Sequence, residues 1–409
     1  MIRAAVVGIT GYGQTHYNDL MREYAAGRVK PVAAVVINPD DAAEKVAALR
    51  EIGCDILPDF DSLISKYAGK IDICCIPTGI ALHKTMSVAA VRAGFNVYVE
   101  KPVAATVEEV REMSAAAEQC GKFIAVGYQD MYQSFTHRVK EVLMSGIIGK
   151  ALKLKCYGLW PRSFVYYGRN RWAGRVIGDN GEAVLDSPFT NALAHDLNLQ
   201  LFFAGETFGS MAELATVQAA MFRANDIESC DTASIRITTA CGQELLFTVS
   251  HAANCKVNPL HVITCEKGEI RFNRCDRFAK VYDSDGNLIE DIPFNNPVRN
   301  SVWDALVDRL NGNDRFICTP AMAGVPVQVA NAVFDSAPVV PFPEELISTV
   351  TFDETGALRR VVTGIEAATF RAFEESRMLN AGDFSFIRPG EVVDMKNYTS
   401  FQNRMGFGK

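Results

Sequence analysis

The sequence predicts an α/β Rossmann domain with a parallel sheet, followed by an α+β domain whose open sheet is mostly antiparallel. Short apolar runs alternate with helical segments over roughly the first 130 residues, which is typical of βαβ units. A glycine-rich turn follows the first of these runs, where a parallel sheet binds its ligand. Beyond residue 150, runs rich in Val, Ile, Thr and aromatic residues are separated by turns, which is typical of antiparallel strands.

Uniformly apolar runs mark the strands of the first region, as expected when both faces of a parallel sheet are buried. These runs are Ala4–Val7, Pro31–Ile37, Ile71–Ile76, Asn96–Val99 and Phe123–Val126. Helical patterns fill the intervals at Pro39–Ile52, Ala81–Ala93, Thr106–Gly121 and Tyr132–Met144. Thr106 and Glu109 form a capping-box pattern and Gly94 is a C-cap residue, so the pattern also indicates where two of these helices begin or end.

The second region is predicted to contain strands, one internal helix and a C-terminal extension. The strands are Leu152–Tyr157, Met211–Met221, Thr232–Thr239, Glu244–His251, His261–Glu266 and Glu269–Phe272. Helices are predicted at Asn191–Phe203, Val302–Leu310, Val325–Phe334 and Gly364–Arg377. We expect a Rossmann domain at 1–130, a substrate-binding and oligomerisation domain at 131–335, and an extension at 336–409 that covers the sheet or bridges subunits.

Composition argues against several classes of protein. The net charge is −7 and the isoelectric point is near 5.5, which disfavours a nucleic-acid or anionic-membrane surface. The 11 cysteines include no C-x-x-C pair and the six histidines show no zinc spacing, so we expect reduced thiols and no metal. The N-terminus shows no targeting signal and no apolar run is long enough to span a bilayer, so we expect a cytoplasmic protein.

The turn Gly8-Ile9-Thr10-Gly11-Tyr12-Gly13 lies between the first strand and a helix, as a dinucleotide-binding loop does. Gly8 allows a tight turn, Gly13 allows close packing of helix on strand, and the helix N-terminus faces a pyrophosphate. Thr10 replaces the middle glycine of the usual motif and can donate a hydrogen bond to phosphate. The alternative is a glycine-rich turn that binds another ligand.

The second strand ends at Val36-Ile37-Asn38, without the acid that grips the adenosine ribose in NAD-binding proteins. No arginine follows that would take the 2′-phosphate of NADP. Asn38 is the best candidate for a ribose contact, and the choice between NAD and NADP stays open.

Three strings then resemble a known family: Cys75-Ile76-Pro77-Thr78-Gly79-Ile80-Ala81-Leu82-His83, the stretch from Ala93 to Glu100-Lys101-Pro102, and Val126-Gly127-Tyr128. In order and spacing they are similar to the glucose–fructose oxidoreductase / inositol dehydrogenase family (Gfo/Idh/MocA). His16, eight residues after Gly8, also fits the pattern. The resemblance covers about the first 150 residues and is looser beyond them.

The resemblance implies a hydride-transferring enzyme in which Lys101 lies near the nicotinamide and the substrate. It also implies a cis peptide before Pro102 and places Pro77, Thr78, His83 and Glu100 near the cofactor. The residues themselves favour the same role, because a lysine at the carboxyl end of a parallel strand lies where ligands bind. Burial and the positive nicotinamide ring would lower its pKa, so that Lys101 can hydrogen-bond a substrate hydroxyl and help move its proton. The alternative is a surface lysine after a strand.

The family's second signature, Asp-x-x-x-His, is altered in this sequence. Four residues after Asp186 stands Thr190, and the nearest histidine is His195. On the predicted helix, Asn191 and His195 are spaced i, i+4 and share a face. We expect His195 to act as an acid/base group or hydroxyl ligand beside Asn191 and Asp186. The alternative is that Asp186 caps the helix and His195 is structural.

Aromatic and arginine residues are clustered at Tyr166-Tyr167-Gly168-Arg169-Asn170-Arg171-Trp172. Rings stack on sugars and arginine pairs with carboxylates, so Tyr167, Arg169 and Trp172 are candidate substrate ligands. The alternative is a loop anchored in a core or at an oligomer contact. Tyr128 and Gln129, after the last Rossmann strand, are expected to line the same crevice.

Together these features predict an NAD(P)-dependent dehydrogenase acting on a secondary alcohol of a sugar, inositol or related polyol. The catalytic residues would be Lys101, His195 and Asp186, and the enzyme would be a homodimer or homotetramer. Two rivals remain open: a lyase or glycosidase-like enzyme with retained NAD and transient oxidation, and a non-catalytic nucleotide sensor.

Overall fold

The structure is a computed structural model that describes residues 1–295, 297–352 and 356–408. The chain forms two compact units, each with its own sheet. The first unit comprises Met1–Gln133 and Asn296–Gly324, and the second comprises Ser134–Asn295 and Val325–Lys409. The predicted division at 130 and 335 therefore did not assign Asn296–Gly324 to the Rossmann unit.

A parallel six-stranded sheet with flanking helices forms the first unit, as predicted. Its elements are β1 (Ile2–Val7), α1 (Gly13–Ala25), β2 (Val29–Val35), α2 (Ala43–Glu51), β3 (Asp55–Leu57), α3 (Phe60–Tyr67), β4 (Ile73–Ile76), α4 (Ile80–Arg92), β5 (Asn96–Val99), α5 (Val107–Gln119) and β6 (Ile124–Val126). The strand order is β3-β2-β1-β4-β5-β6, and every pair is parallel. All the strand–helix turns that carry the sequence motifs therefore meet at one edge, the carboxyl edge of this sheet.

Two elements of this unit were not predicted. β3 has only three residues and begins with Asp55, so it carries no apolar run. α3 begins after Asp59, whose side chain accepts a hydrogen bond from Ser62 N at 2.7 Å. Elements as short as the three residues of β3 and the eight residues of α3 give a weak periodic signal, because few residues contribute to the pattern.

The second unit is built on a ten-stranded mixed sheet. Its elements before residue 296 are α6 (Ser134–Ser145), β7 (Ala151–Leu159), α7 (Phe164–Tyr167), α8 (Ala194–Phe203), β8 (Leu214–Arg223), β9 (Thr232–Thr239), β10 (Glu244–Ser250), β11 (Val257–Cys265), β12 (Gly268–Asn273), β13 (Phe278–Asp283) and β14 (Leu288–Asp291). Neighbouring strands are mostly antiparallel, as predicted, but β7 lies between β11 and β10 and is parallel to β10. The sheet is therefore not a simple meander, because its first strand occupies a central position.

The remaining elements are α9 (Val298–Leu310), α10 (Pro320–Ser336), β15 (Val339–Pro341), β16 (Ile347–Thr351), β17 (Leu358–Val362), α11 (Ile365–Glu374) and β18 (Val393–Asp394). α9 belongs to the first unit, where Trp303 is fully buried and packs edge-on against Tyr98 with ring centroids 6.3 Å apart. That contact joins residues about 200 positions apart, which no local pattern predicts.

The C-terminal extension covers the sheet of the second unit, one of the two roles left open by the sequence. Apolar residues of the sheet, such as Phe222 and Leu246, share a core with Phe342, Ile365 and Leu379 of the extension. Apolar surface buried in this way stabilises the packing by about 25 cal/mol per Å². Among the described residues, no helix combines the length and apolar character needed to cross a membrane.

Candidate active site

The glycine-rich turn links β1 to α1 in the geometry expected of a phosphate loop. Gly8 and Gly11 have φ of +93° and +55°, which favours glycine at both positions. A Cβ on Gly13 would lie 2.5 Å from Gly8 O, so helix and strand approach as closely as only glycine allows. Gly8 N donates to Val35 O at 2.9 Å, which ties the turn to the neighbouring strand.

This turn fits the dinucleotide that the fold implies. The first turn of α1 contains no acidic residue, and its N-terminus has no side-chain cap. The backbone N–H groups at this positive end of the helix dipole are therefore available to an anion. Thr10, Gly11 and Tyr12 are exposed, and nothing lies within 4 Å of a Cβ placed on Gly11. Asn38, two residues beyond the buried Val36, is also exposed and available for a ribose contact.

The turn after β4 also offers polar groups. Thr78 Oγ1 is buried and has no hydrogen-bond partner within the described parts of the chain. His83, in the first turn of α4, lies with its ring nitrogens 2.8 Å from Pro102 O and 3.0 Å from Thr78 O. Burial lowers the pKa of His83, against the effect of these two carbonyl groups. His83 therefore joins the Pro77-Thr78 turn to the Lys101-Pro102 turn, which is a positioning role.

Glu100 is the buried carboxylate of the Glu100-Lys101-Pro102 motif, only 4% exposed. His16 Nε2 donates to Glu100 Oε1 at 2.8 Å, Gln129 Nε2 donates to the same oxygen at 3.2 Å, and Lys101 N donates to Oε2 at 3.3 Å. Burial opposes ionisation of Glu100, but the bond from His16 and the charge of Arg299 outweigh it and lower its pKa. Glu100 is therefore a charged positioning residue inside the sheet edge.

Gly127, the residue after β6, is required by this carboxylate. A Cβ at position 127 would lie 2.8 Å from Glu100 Oε2 and 2.9 Å from Cδ. The structure therefore explains why glycine follows β6, since any larger residue at position 127 would displace Glu100.

Lys101 follows β5 at the carboxyl edge of the sheet and is half-buried. Its peptide bond to Pro102 is cis, as the resemblance implied. The turn is held on both sides, because Lys101 N bonds to Glu100 and Pro102 O faces His83.

Arg299 completes the environment of Glu100 and was missed by the sequence analysis. Its Nε donates to Asp19 Oδ2 at 2.5 Å and its Nη1 lies 3.8 Å from Glu100 Oε1. It comes from α9, about 200 residues after the motif, so no spacing pattern connects the two.

Tyr128 and Gln129 do not line an open crevice as expected. Tyr128 is 2% exposed and Gln129 is 5% exposed. Tyr128 is a core residue of the first unit, because the turn after β6 folds its ring inward. Gln129 directs its amide nitrogen to Glu100, to which it donates.

The second unit brings together several of the predicted substrate residues. Asp186 Oδ2 accepts from Gly174 N at 2.7 Å, and Oδ1 accepts from Asn191 Nδ2 at 3.0 Å. Asn191 Nδ2 also lies 3.2 Å from the Tyr166 hydroxyl, to which it donates. Asp186 therefore holds the amide of Asn191 and the loop at Gly174, and it does not cap α8.

Asn191 and His195 do not share a helical face, contrary to the predicted spacing. α8 begins at Ala194 and Asn191 lies in the turn before it. Ser187 Oγ accepts from Thr190 N at 3.2 Å and so holds this turn, which delays the start of the helix. His195 lies in the first turn of α8 and is partly exposed, with its Nδ1 atom buried.

The aromatic loop is arranged around Tyr166. The Arg169 guanidinium stacks 3.6 Å from the Tyr166 ring centroid and 4.9 Å from that of Trp172. Arg169 is exposed and Trp172 half-buried, so both remain accessible to a ligand. The Tyr167 hydroxyl is buried and lacks a hydrogen-bond partner in the described structure, and its ring packs edge-on against Tyr166 with ring centroids 5.2 Å apart.

His251 is a second residue that the sequence analysis missed. It lies directly after β10, is 2% exposed, and its Nδ1 donates to Trp160 O at 2.7 Å. Its ring faces Tyr166, with centroids 5.9 Å apart. Burial, followed by the charge of Arg162, lowers the pKa of His251 to about 3. The imidazole is therefore neutral at pH 7.

No group of three or more His, Cys, Asp or Glu side chains within the described ranges is arranged to hold a metal ion.

Comparison with known proteins agrees with the resemblance. Residues 2–128 match the GFO_IDH_MocA model, described as an oxidoreductase family with an NAD-binding Rossmann fold. The chain is 28% identical over 211 residues to inositol 2-dehydrogenase of Pseudomonas savastanoi pv. phaseolicola, covering 51% of this chain and 56% of that protein. It is also 28% identical over 148 residues to 2,7-anhydro-N-acetylneuraminate hydratase of Mediterraneibacter gnavus, covering 36% of this chain and 37% of that protein.

The chain thus spans just over half the length of the inositol 2-dehydrogenase that it matches. Among solved structures, it is similar to the WlbA dehydrogenase of Bordetella pertussis in complex with NADH and UDP-GlcNAcA. The TM-score is 0.64 at 20% identity, with 81% of this chain and 95% of that chain covered, which shows a shared fold. Residues 2–128 are thus similar to the NAD-binding Rossmann domain of the Gfo/Idh/MocA oxidoreductase family, and the solved structure shows that the likeness of fold extends beyond them.

Proposed function

We propose that the protein is an NAD(P)-dependent dehydrogenase that oxidises a secondary alcohol of a sugar, inositol or related polyol, or catalyses the reverse reduction. The observation that carries this proposal is the position of Lys101. It follows a parallel strand at the edge where the glycine-rich turn also lies, and a buried carboxylate fixes its backbone.

The first unit supplies the cofactor side of the reaction. Bound NAD(P) would accept a hydride from the alcohol carbon. The amide groups at the start of α1 and the Thr10 hydroxyl would hold the phosphates, Asn38 the ribose, and Pro77 and Thr78 the adjoining part of the cofactor. His83, Glu100 and Gln129 would keep the surrounding turns in place.

Lys101 would donate a hydrogen bond to the substrate hydroxyl and take part in transfer of its proton. In the second unit, Asn191, Arg169 and Trp172 offer an amide, a guanidinium and a ring for a polyhydroxylated molecule. We propose that they bind substrate, that His195 assists with the proton, and that Asp186 orients Asn191. Tyr167 would shape the loop that carries Arg169 and Trp172.

A redox-neutral reaction with retained cofactor is the second candidate. It is favoured by one observation, the similarity to a protein whose name describes a hydratase rather than a dehydrogenase. This alternative uses the same residues and differs in the fate of the electrons, which return to the substrate before it leaves.

The deciding experiment is a screen of sugars, inositols and sugar acids with NAD and NADP, run on the wild type and Lys101→Met. We expect reduced nicotinamide to form with at least one polyol, and kcat to fall by about a thousandfold in the variant, in the range of lost acid–base catalysis. Lys122→Met is the matched control. Lys122 precedes β6 and so lies at the opposite, amino edge of the same sheet.

Cofactor affinity, measured by fluorescence titration, separates the outcomes. Binding without turnover of any polyol, together with a reduced-nicotinamide absorbance in the purified protein, would favour the redox-neutral alternative. Full activity of Lys101→Met, or failure of both NAD and NADP to bind, would exclude the proposed role of Lys101.

A further inference from the structure

A basic recess lies on the second unit and has no role in the function proposed so far. It has a volume of about 470 Å³ and is lined chiefly by Trp160, Arg162, Asn254, Lys256, Phe352 and Arg359. Three of these residues are cationic and none is acidic. We name it the Trp160 recess.

Its cations have no acidic partners within the described residues. Arg162, Lys256 and Arg359 form no ion pair with a carboxylate of the described chain, whereas most other arginines of this unit do. Arg359 is only 9% exposed, and its Nη atoms donate to the carbonyl groups of Ala253 and Asn254 at 3.1 and 2.7 Å. Its Nε is buried without a partner, as is Nε of Arg162. Leaving charged donors unsatisfied is costly, so they favour an anion.

Trp160 concentrates positive charge around one ring. Arg162 Cζ and Lys256 Nζ both lie 5.6 Å from its centroid, and Arg274 Cζ lies 5.8 Å from it. Arg274 is neutralised by a two-bond contact with Asp196, at 2.9 and 2.8 Å. Arg162 and Lys256 have no such carboxylate partner among the described residues. The Trp160 Nε1 group donates to Asn258 Oδ1 at 3.2 Å, which fixes the ring in its orientation.

Arg162 connects the recess with the candidate substrate residues of the same unit. Arg162 Cζ lies 4.8 Å from the Tyr166 ring centroid, and Tyr166 in turn contacts Asn191. Trp160 O accepts from His251, whose ring also faces Tyr166. A ligand held by Asn191 and Arg169 therefore has the recess within reach of a substituent.

We propose that the Trp160 recess binds the phosphoryl group of a phosphorylated sugar or polyol. This identification of the substrate rests on the dehydrogenase function proposed above. Two guanidinium groups and one ammonium group carry three positive charges, which match a dianionic phosphoryl group with three acceptor oxygens better than a singly charged carboxylate with two. The volume exceeds that of the phosphoryl group alone and leaves space for the adjoining sugar carbons against Trp160.

One carboxylate lies beside the recess, and its substitution should change anion binding in the opposite direction. Glu366 Oε1 accepts from the backbone N–H groups of Asn254 and Cys255. Its negative charge opposes binding of an anion, so Glu366→Gln, which retains an acceptor oxygen, should strengthen phosphate binding severalfold.

The test measures binding of inorganic phosphate to the full chain by isothermal titration at low salt, without substrate or cofactor. Lys256→Gln and Arg162→Gln should each weaken binding about tenfold, as expected for loss of one charge-assisted contact. Lys267→Gln is the matched control. Lys267 is an exposed lysine just beyond the other end of β11, the strand that Lys256 precedes, and it should leave binding unchanged.

Several results would overturn the inference. They are absence of phosphate binding, equal binding by wild type and Lys256→Gln, or acetate binding as tight as phosphate. Kinetics with matched pairs of neutral polyols and their phosphate esters extend the test. The ester should have the lower KM, and Lys256→Gln should raise KM for the ester more than for its neutral partner.

Failure of this inference is distinguishable from failure of the proposed function. Phosphate binding that responds to Lys256→Gln, in a protein that reduces no NAD(P) with any polyol, would support the recess and contradict the dehydrogenase. Turnover of neutral polyols without phosphate binding would do the reverse.

Discussion

The two units present their candidate functional residues in opposite ways. In the first, contiguous motifs at the ends of β1, β4, β5 and β6 meet at one sheet edge, because parallel strands bring their carboxyl ends together. In the second, the group around Tyr166 combines residues from a loop, a turn before a helix and a strand end, namely Arg162, Asn191 and His251. Topology alone places the first set, whereas long-range packing places the second.

This difference also separates how each set is held. In the first unit a single buried carboxylate, Glu100, accepts bonds from three other residues. In the second, side chains are linked pairwise, such as Asp186 to Asn191 and His251 to Trp160. Removal of one group should therefore do more damage in the first unit than in the second.

The sharpest test of this comparison is Glu100→Ala. It leaves His16, Gln129 and the nearby Arg299 facing a cavity without their carboxylate, and breaking a buried pair of this kind costs about 3–5 kcal/mol. The free energy of unfolding, measured by urea denaturation, should fall by that amount. Glu51→Ala, at the exposed last residue of α2, is the control and should change it by less than about 0.5 kcal/mol. Similar losses of unfolding free energy in both variants would refute the idea that Glu100 holds this sheet edge together.

A smaller effect is expected when the same carboxylate is displaced rather than removed. Gly127→Ala places a Cβ 2.8 Å from Glu100 Oε2 and should cost about 1–3 kcal/mol through overpacking. Gly209→Ala, at an exposed position where a Cβ meets nothing within 4 Å, should be close to neutral. If the two variants unfold at the same urea concentration, the close approach of Gly127 to Glu100 is not a constraint on the sequence.

The sequence predicted the first region more completely than the second for the same physical reason. The turns at Gly8–Gly13 and at Glu100-Lys101-Pro102 are local, so their residues and spacing are visible in the printed sequence. The partner of Glu100 on α9, Arg299, is not, and neither is the contact of His251 with Tyr166. Local hydrogen bonds also mattered, because the turn at Ser187–Thr190 shifted the start of α8 past Asn191.

Unexpected burial is the second reason why the sequence placed some site residues wrongly. Tyr128 follows a strand at the ligand edge, where position alone favours contact with substrate, yet its ring is directed into the core. A strand-end residue can point either way, and its side chain direction depends on packing that the sequence pattern does not specify. Tyr128 and Gln129 therefore differ from Lys101, although all three follow strands of the same sheet.

The second unit is tested by the pH dependence of its stability through His251. Its folded-state pKa of about 3 lies below the ordinary value of 6.5, so the unfolded chain takes up a proton first as pH falls. The stability associated with the neutral ring is therefore fully present above pH 6.5 and is lost progressively between 6.5 and 3.

Between pH 7 and about pH 5.5 this loss amounts to about 1 kcal/mol, in a range where few carboxylates titrate. His251→Asn keeps a donor for Trp160 O but has no group that titrates, so its unfolding free energy should change by about 1 kcal/mol less across that range. Urea denaturation of both proteins at the two pH values measures the difference. Equal slopes would mean that His251 takes up its proton at the same pH in the folded and unfolded protein. That result would contradict the lowered pKa, which follows first from burial of the ring and then from the charge of Arg162.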